Sequence, residues 1–315
     1  FSPDIVRIKF FKKFPLGINY YLFSFFSVIY GINLKTELFI TRNFFTLFLL
    51  ILFNQKAIIE IHHDLSTESR IVKFLFKNFN ILNKEKVVKV VAITKSVKDY
   101  LVKDLKVNSK KIEVISSASS LKFKFKKFLN KKRYNIGYFG SLDESKGSQF
   151  IAKMSKLDKN NNYFIFGGTK KDLQNFQINN DCRNINLNKS IPYGKIQPYL
   201  SKMDILLMPS NRKLLRSLGG VGNIAKYTSP LKLFDYMSSG KLIFLSNLKV
   251  FKEVVKNNVD CIMLDNLNVI NWVDKINKIK KNIIRVNYIK KNAYLKSKKY
   301  TYLIRAKKIL NFDFF

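Results

Sequence analysis

The sequence predicts an α/β protein built as two doubly wound, parallel-sheet domains. Three observations carry that expectation. In the second half, apolar runs of four or five residues recur, most of them continuous rather than alternating, as in strands covered on both faces of a parallel sheet. Stretches with helical spacing separate them, the strand–helix–strand rhythm of doubly wound folds. And 315 residues is the length at which one core usually splits into two.

The first half shows the rhythm less clearly. Strands are expected at Ile5–Ile8, Leu38–Ile40, Ala57–Ile61, Val88–Ile93 and Ile112–Ile115, with helices between them. The runs Tyr20–Tyr30 and Phe44–Phe53 are about half the roughly 20 residues a membrane span needs. They read as buried helices, with a surface dipping into one lipid leaflet as the alternative. Lys122–Arg133, seven basic residues in twelve, reads as a linker. Strands then follow at Asn135–Phe139, Tyr163–Phe166, Ile205–Met208, Leu242–Leu245 and Cys261–Leu264. Helices are expected near Ser148–Leu157, Lys170–Phe176, Lys195–Met203, Leu231–Ser238, Phe251–Lys256 and Val269–Lys280. This divides the chain into domains over 1–132 and 133–285 and a basic helical tail over 286–315, expected to pack back on the first domain.

Lys and Arg total 58 against 21 Asp and Glu, a net charge of +37. The 47% hydrophobic content excludes a disordered polyelectrolyte, which lacks apolar surface to offset ordering entropy. Cys182 and Cys261 give neither a disulfide framework nor a metal-site spacing, so a reducing compartment is expected. Part of the charge reflects a composition saturated in Lys, Asn, Ile and Phe, yet its spread is uneven: Asp274–Lys308 alone carries +12. Tyr288, Tyr294, Tyr300 and Tyr302 interleave with that stretch, and Phe123, Phe125 and Phe128 with the linker. Such patterns suit single-stranded nucleic acid or an anionic membrane surface. No nucleic-acid module signature is present, so a membrane surface is the expected partner and nucleic acid is not.

Four places carry chemistry. Gly140 ends a strand ahead of Ser141 and Lys146, where backbone can approach a phosphate and a helix start can receive it; a plain turn with a solvated lysine is the alternative. Ser229-Pro230-Leu231-Lys232 opens a helix. A lysine in the first turn opposes the helix dipole unless an anion sits there, and Asp235, three residues on, could accept ribose hydroxyls; a surface ion pair is the alternative. The glycines Gly219, Gly220 and Gly222 form either a ligand loop or a disordered one. Finally, His62 and His63, the two histidines of the chain, follow a strand. One could serve as acid or base, or simply pack at the domain edge.

These residues resemble the donor-binding segment of glycosyltransferase family 4, retaining enzymes of GT-B fold. The resemblance rests on Ser229-Pro-Leu-Lys-Leu-Phe-Asp-Tyr-Met-Ser-Ser-Gly240 with Leu242-Ile243 and Glu253-Val254, and on Gly137-Tyr-Phe-Gly-Ser-Leu142 with Lys146-Gly147. Ala92-Ile-Thr-Lys-Ser96, Lys110-Lys-Ile-Glu-Val-Ile115 and Met203-Asp-Ile-Leu-Leu-Met-Pro-Ser210 also fit. It implies two Rossmann-like domains facing a cleft and a nucleotide-diphosphate-sugar donor, with no cofactor and no metal. By resemblance, Gly140, Ser141, Lys146 and Lys232 would hold the diphosphate, Asp235 the ribose, and His62 would stand near the reacting sugar carbon. Ser229, Pro230 and Leu231, with the glycine loop, would border the donor. The acceptor would be a glycan, either lipid-linked or a surface polysaccharide, at the cytoplasmic membrane face.

Three departures stand out. Ser141 replaces a frequent Arg. Tyr227, eight residues before Asp235, replaces the first of two acids. The opening Phe1-Ser-Pro-Asp-Ile-Val6 resembles a later strand of the first domain, so roughly 60 residues are expected to be absent before it, judged by domain size. The missing Arg and acid keep a second expectation open: a non-catalytic GT-B partner that binds nucleotide or glycan without turnover.

Overall fold

The computed structural model describes residues 19–180, 183–216 and 223–310. The chain divides into two compact units. The first runs to Ala92 and takes in Val97–Val114; the second comprises Ile93–Ser96 and the chain from Ile115 onward. The crossing at Ile115 comes ahead of the 132/133 boundary expected from sequence.

The first unit is a sheet of four parallel strands, β1 (Phe39–Thr41), β2 (Ala57–Ile61), β3 (Val87–Ala92) and β4 (Ile112–Val114), in that order. Helices α1 (Asn19–Asn33), α2 (Phe44–Leu52), α3 (Arg70–Asn78) and α4 (Lys95–Lys103) connect or precede them. The apolar run of α2 starts where the Asn43 side chain accepts from Thr46 N, and it buries Phe44, Leu47, Leu49 and Leu50. A side-chain cap of this kind satisfies one of the helix's free N–H groups. Every residue of β2 is buried, as a continuous apolar strand should be. The Tyr20–Tyr30 run does form a helix, but not a buried one: in α1 only Ser24 and Val28 are buried, while Phe23, Phe25, Phe26 and Tyr30 are exposed. A helix that packs along one side covers a single stripe. The strand expected at Ile5–Ile8 lies outside the described residues.

The second unit is a six-stranded parallel sheet. In chain order its strands are β5 (Asn135–Phe139), β6 (Asn162–Phe166), β7 (Ile185–Asn188), β8 (Ile205–Met208), β9 (Leu242–Ser246) and β10 (Ile262–Leu264). Their spatial order is β10-β9-β8-β5-β6-β7, the doubly wound order of dinucleotide-binding folds. Five of these strands fall where the sequence places them; β7 was not expected. Its Ile-Asn-Leu-Asn is half exposed at the sheet's edge, so it lacks the apolar run of a central strand.

Helices α5 (Ser148–Leu157), α6 (Lys170–Asn179), α7 (Gln197–Lys202), α8 (Leu231–Ser238), α9 (Lys249–Lys252), α10 (Val269–Ile279), α11 (Ile283–Ser297) and α12 (Tyr302–Leu310) surround the sheet. Two buried clusters cover its faces, one around Phe234, Ile243 and Phe251, the other around Trp272, Tyr138 and Phe244.

The linker aromatics have a structural role. Phe128 stacks on Tyr134 at 4.8 Å, Phe125 lies 5.5 Å from Tyr294, and the Phe123 carbonyl accepts from Tyr294 Oη at 2.8 Å. They fasten the linker to the second unit. Among the described residues, no helix is long and apolar enough to cross a membrane.

Candidate functional site

The switch point of the second sheet lies between β5 and β8, where the chain winds away in opposite directions. Loops at such a point leave a crevice beyond the carboxyl ends of the strands. A cavity of about 470 Å³ opens there, lined by Gly140, Ser141, Thr169, Lys232, Asp235 and Tyr236 among others.

Glycines let the backbones close in. A Cβ on Gly140 would stand 2.5 Å from Lys232 Nζ, and one on Gly167 would stand 1.8 Å from the Gly140 carbonyl oxygen. Gly147, at φ +82°, would put a Cβ 2.0 Å from the Pro209 carbonyl oxygen. The left-handed backbone there admits the turn that carries Lys146.

Helix α8 points its N-terminus at this place. Pro230 is its N-cap, and no side chain caps it. Free N–H groups and the helix dipole make such an end a ready anion site. Ser229 is spent elsewhere: its Oγ accepts from Ser117 N at 3.0 Å and its carbonyl from Ser117 Oγ at 2.7 Å. Leu231 is exposed.

Among the described residues, Lys232 has no carboxylate partner. Its ammonium lies 4.3 Å from the Tyr138 ring centroid, a cation–π contact that offsets part of the desolvation. Burial, with Lys146 nearby as the second cause, pulls the Lys232 ammonium down to about 7. Tyr138 is itself fully buried and donates from Oη to the Ser141 carbonyl at 2.8 Å. Ser141 Oγ is buried without a hydrogen-bond partner among the described residues.

Asp235 is buried, and its Oδ1 accepts from Ser119 Oγ at 2.5 Å and from Tyr193 Oη at 2.9 Å. Burial raises its carboxyl pKa, and the two hydrogen bonds pull it back. Oδ2 carries no hydrogen bond among the described residues, which leaves one acceptor oxygen. Ser119 is placed by the tail: its N–H donates to the Tyr300 carbonyl at 3.0 Å, and the Tyr300 ring packs 5.2 Å from Phe234 of α8.

The structure thus gathers Gly140, Ser141, Lys232 and Asp235 around one cavity, with Lys146 close to Lys232. It adds Tyr138, Tyr193 and Ser119, which sequence reasoning missed: an aromatic in a buried strand and a serine or tyrosine in a loop carry no spacing signal. Gly219, Gly220 and Gly222 lie outside the described residues. His62 belongs to the first unit, just after β2. Its Nε2 is bonded to Glu60 Oε1, which also takes Arg42 Nη2 at 2.8 Å. A carboxylate accepts, so Nε2 donates to Glu60, and Nδ1 carries no hydrogen bond among the described residues. His63 instead donates from Nδ1 to the Asp64 carbonyl at 2.7 Å. Among the described residues, no group of three or more His, Cys, Asp or Glu side chains is arranged to hold a metal ion.

Residues 119–296, over half of the chain, match the family described as glycosyl transferases group 1. The chain belongs to this family. The matched stretch contains every cavity residue named above and leaves His62 outside it. Solved glycosyltransferase structures of GT-B fold resemble the chain. A glycosyltransferase from Rickettsia africae is 15% identical, with a TM-score of 0.67 over 98% of this chain and 86% of its own. HepE of Anabaena, solved with UDP-glucose, is 13% identical, with a TM-score of 0.67 over 96% and 84%. Sucrose-phosphate synthase from Thermosynechococcus elongatus is 12% identical, with a TM-score of 0.70 over 95% and 79%. At these identities the likeness establishes the fold. A search of curated proteins finds no match. The group 1 fold is therefore GT-B, with one parallel sheet in each of two units.

Proposed function

We propose that the chain is a retaining, family-4-type glycosyltransferase. It would move a sugar from a nucleotide-diphosphate donor to a lipid-linked or surface-polysaccharide acceptor at the cytoplasmic face of a membrane. One observation carries the reading: Lys232, half-buried and with no carboxylate partner among the described residues, stands at an uncapped helix N-terminus, beside a glycine that keeps the space open. Desolvating an ammonium that has no counter-charge is costly, and a diphosphate would supply that charge. UDP-glucose bound to HepE, a protein of the same fold, supports the donor class.

Transfer breaks the bond between the anomeric carbon and the diphosphate and forms one to an acceptor hydroxyl. Negative charge grows on the leaving diphosphate, where Lys232, Lys146 and the α8 N–H groups would meet it, in place of a metal ion. Asp235 Oδ2 would accept from the ribose. His62 is the proposed catalytic group, with Glu60 fixing its proton on Nε2. The basic surface would bring the enzyme to anionic lipid.

The test is turnover against a panel of nucleotide sugars. Activity should fall at least 100-fold in Lys232→Ala, the loss of about one charged transition-state contact, and substantially in Lys146→Ala. Wild-type turnover in both variants would overturn the assignment.

A further inference from the structure

A second concentration of charge lies at the other end of α8, away from the cavity. Asp204 directly precedes β8 and Lys241 directly precedes β9, so both stand at the amino-terminal edge of the second sheet. Lys232 is in the first turn of α8 and Lys241 lies three residues past its last residue, Ser238. Eight residues of helix rise about 12 Å, which separates the two places.

Four lysines lie in this neighbourhood. Lys131 Nζ pairs with Asp204 Oδ1 at 2.7 Å, while Asn135 N donates to Asp204 Oδ2 at 2.9 Å. Lys241 Nζ donates to the Ser201 carbonyl at 2.7 Å. Lys290 is only 3% exposed; its ammonium donates to the Lys126 carbonyl at 3.1 Å and lies 5.1 Å from the Phe128 ring and 5.8 Å from the Phe125 ring. Lys241 and Lys290 make the floor of the cluster; the exposed Lys126 and Lys131 make its rim.

Charge does not balance here. Among the described residues, Asp204 is the one carboxylate acting on Lys241 and Lys290, and the C-terminal end of α8 adds about half a negative charge. Carbonyls and rings orient the ammonium groups without neutralising them. Burial, and then Lys241, pulls Lys290 down to about 8, although Asp204 acts in the opposite sense. Burial likewise lowers Lys241, with Lys131 and Lys126 adding to it against Asp204. A fold that needed only a partner for Asp204 would need one lysine. A compact anion with several oxygens would bond several of these ammonium groups at once, and lysine is a point-charge binder suited to phosphate.

We propose that Lys126, Lys131, Lys241 and Lys290 form a second phosphate-binding site at the amino-terminal edge of this sheet, taking free phosphate or the phosphate of a lipid headgroup. The site stands apart from the proposed glycosyl transfer and does not depend on it.

The experiment uses the full chain carrying Lys232→Ala, which silences the cavity. Inorganic phosphate is titrated against chloride at matched ionic strength while Tm is followed. In parallel, flotation compares phosphatidylcholine vesicles with and without phosphatidylglycerol. At roughly five times its dissociation constant, phosphate should raise Tm by about 1–3 °C. Adding Lys241→Ala or the exposed Lys131→Ala should weaken binding at least tenfold, with circular dichroism confirming that each variant is folded. A Tm response lost in these variants assigns free phosphate. Flotation lost in them, without a Tm response, assigns the headgroup. No response in either arm, or responses that both variants leave unchanged, would overturn the proposal.

Discussion

At the residue scale, Lys232 makes the molecule sensitive to pH in a defined direction. Its ammonium titrates near 7 in the folded chain against an ordinary value of 10.5. Between those values the unfolded chain holds a proton that the folded chain has released. Stability of the unliganded protein should therefore rise with pH across that window, by up to about 1.4 kcal/mol per unit from this group, and be lost as pH falls through 7. Lys232→Met should raise Tm at pH 6 more than at pH 9 while removing nucleoside-diphosphate binding. In the wild type, diphosphate binding should weaken as pH climbs above 7 and should take up a proton, read by calorimetry in buffers of different ionisation heat. Asp235 gives a second test. With Oδ1 occupied by Ser119 and Tyr193, the ribose contact falls to Oδ2. Removing that contact should cost about 1.5–3 kcal/mol, about 10- to 150-fold in affinity. Asp235→Asn should bring 2′-deoxy and ribo diphosphates to similar affinity; an unchanged preference would exclude the ribose role.

At the element scale, α8 and the turns around it explain why part of the site was legible in sequence. Pro230, Lys232 and Asp235 are close in the chain and share one helix start, so cap and dipole rules find them. Gly140 was legible because a glycine ends a strand. The groups that hold these residues come from distant segments: Tyr138 from β5, Ser119 from the stretch between β4 and the linker, and Tyr193 from the turn before α7. Only the fold brings them together. Gly147→Ala tests the turn. Its φ of +82° and a Cβ at 2.0 Å from Pro209 O should cost more than about 1 kcal/mol, seen as a lower Tm. Gly140→Ala, at φ < 0, should leave Tm closer to wild type and weaken donor binding, because its Cβ meets Lys232 Nζ.

At the scale of the whole molecule, the cavity residues all belong to the second unit and His62 to the first. His62→Ala should then abolish turnover while leaving the affinity for nucleoside diphosphate within about twofold; loss of binding would place its role elsewhere. The strand–helix rhythm was legible because central parallel strands are apolar throughout. The charge was less legible. Its total of +37 says little, and of the interleaved aromatics Phe123, Phe125, Phe128 and Tyr294 fasten the linker, while Tyr288 and Tyr302 are exposed. Phe128, 3% exposed between Tyr134 and Lys290, should cost about 3–5 kcal/mol on truncation to Ala.

The strand that the sequence hid has a consequence of its own. Strand β7 has β6 on one side only among the described residues, so its outer backbone groups offer a template to any other extended chain. A protein with 29 phenylalanines has much to lose from such pairing. Four residues long, half of them asparagine, and flanked by Arg183 and Lys189, the strand is short, polar and charged at its ends. These are the features that discourage self-association through a sheet margin. The weak apolar signal that concealed β7 from sequence reading thus also makes this edge a poor template for self-association. Asn186→Val with Lys189→Val should leave the fold intact and shift the protein toward oligomers in sedimentation.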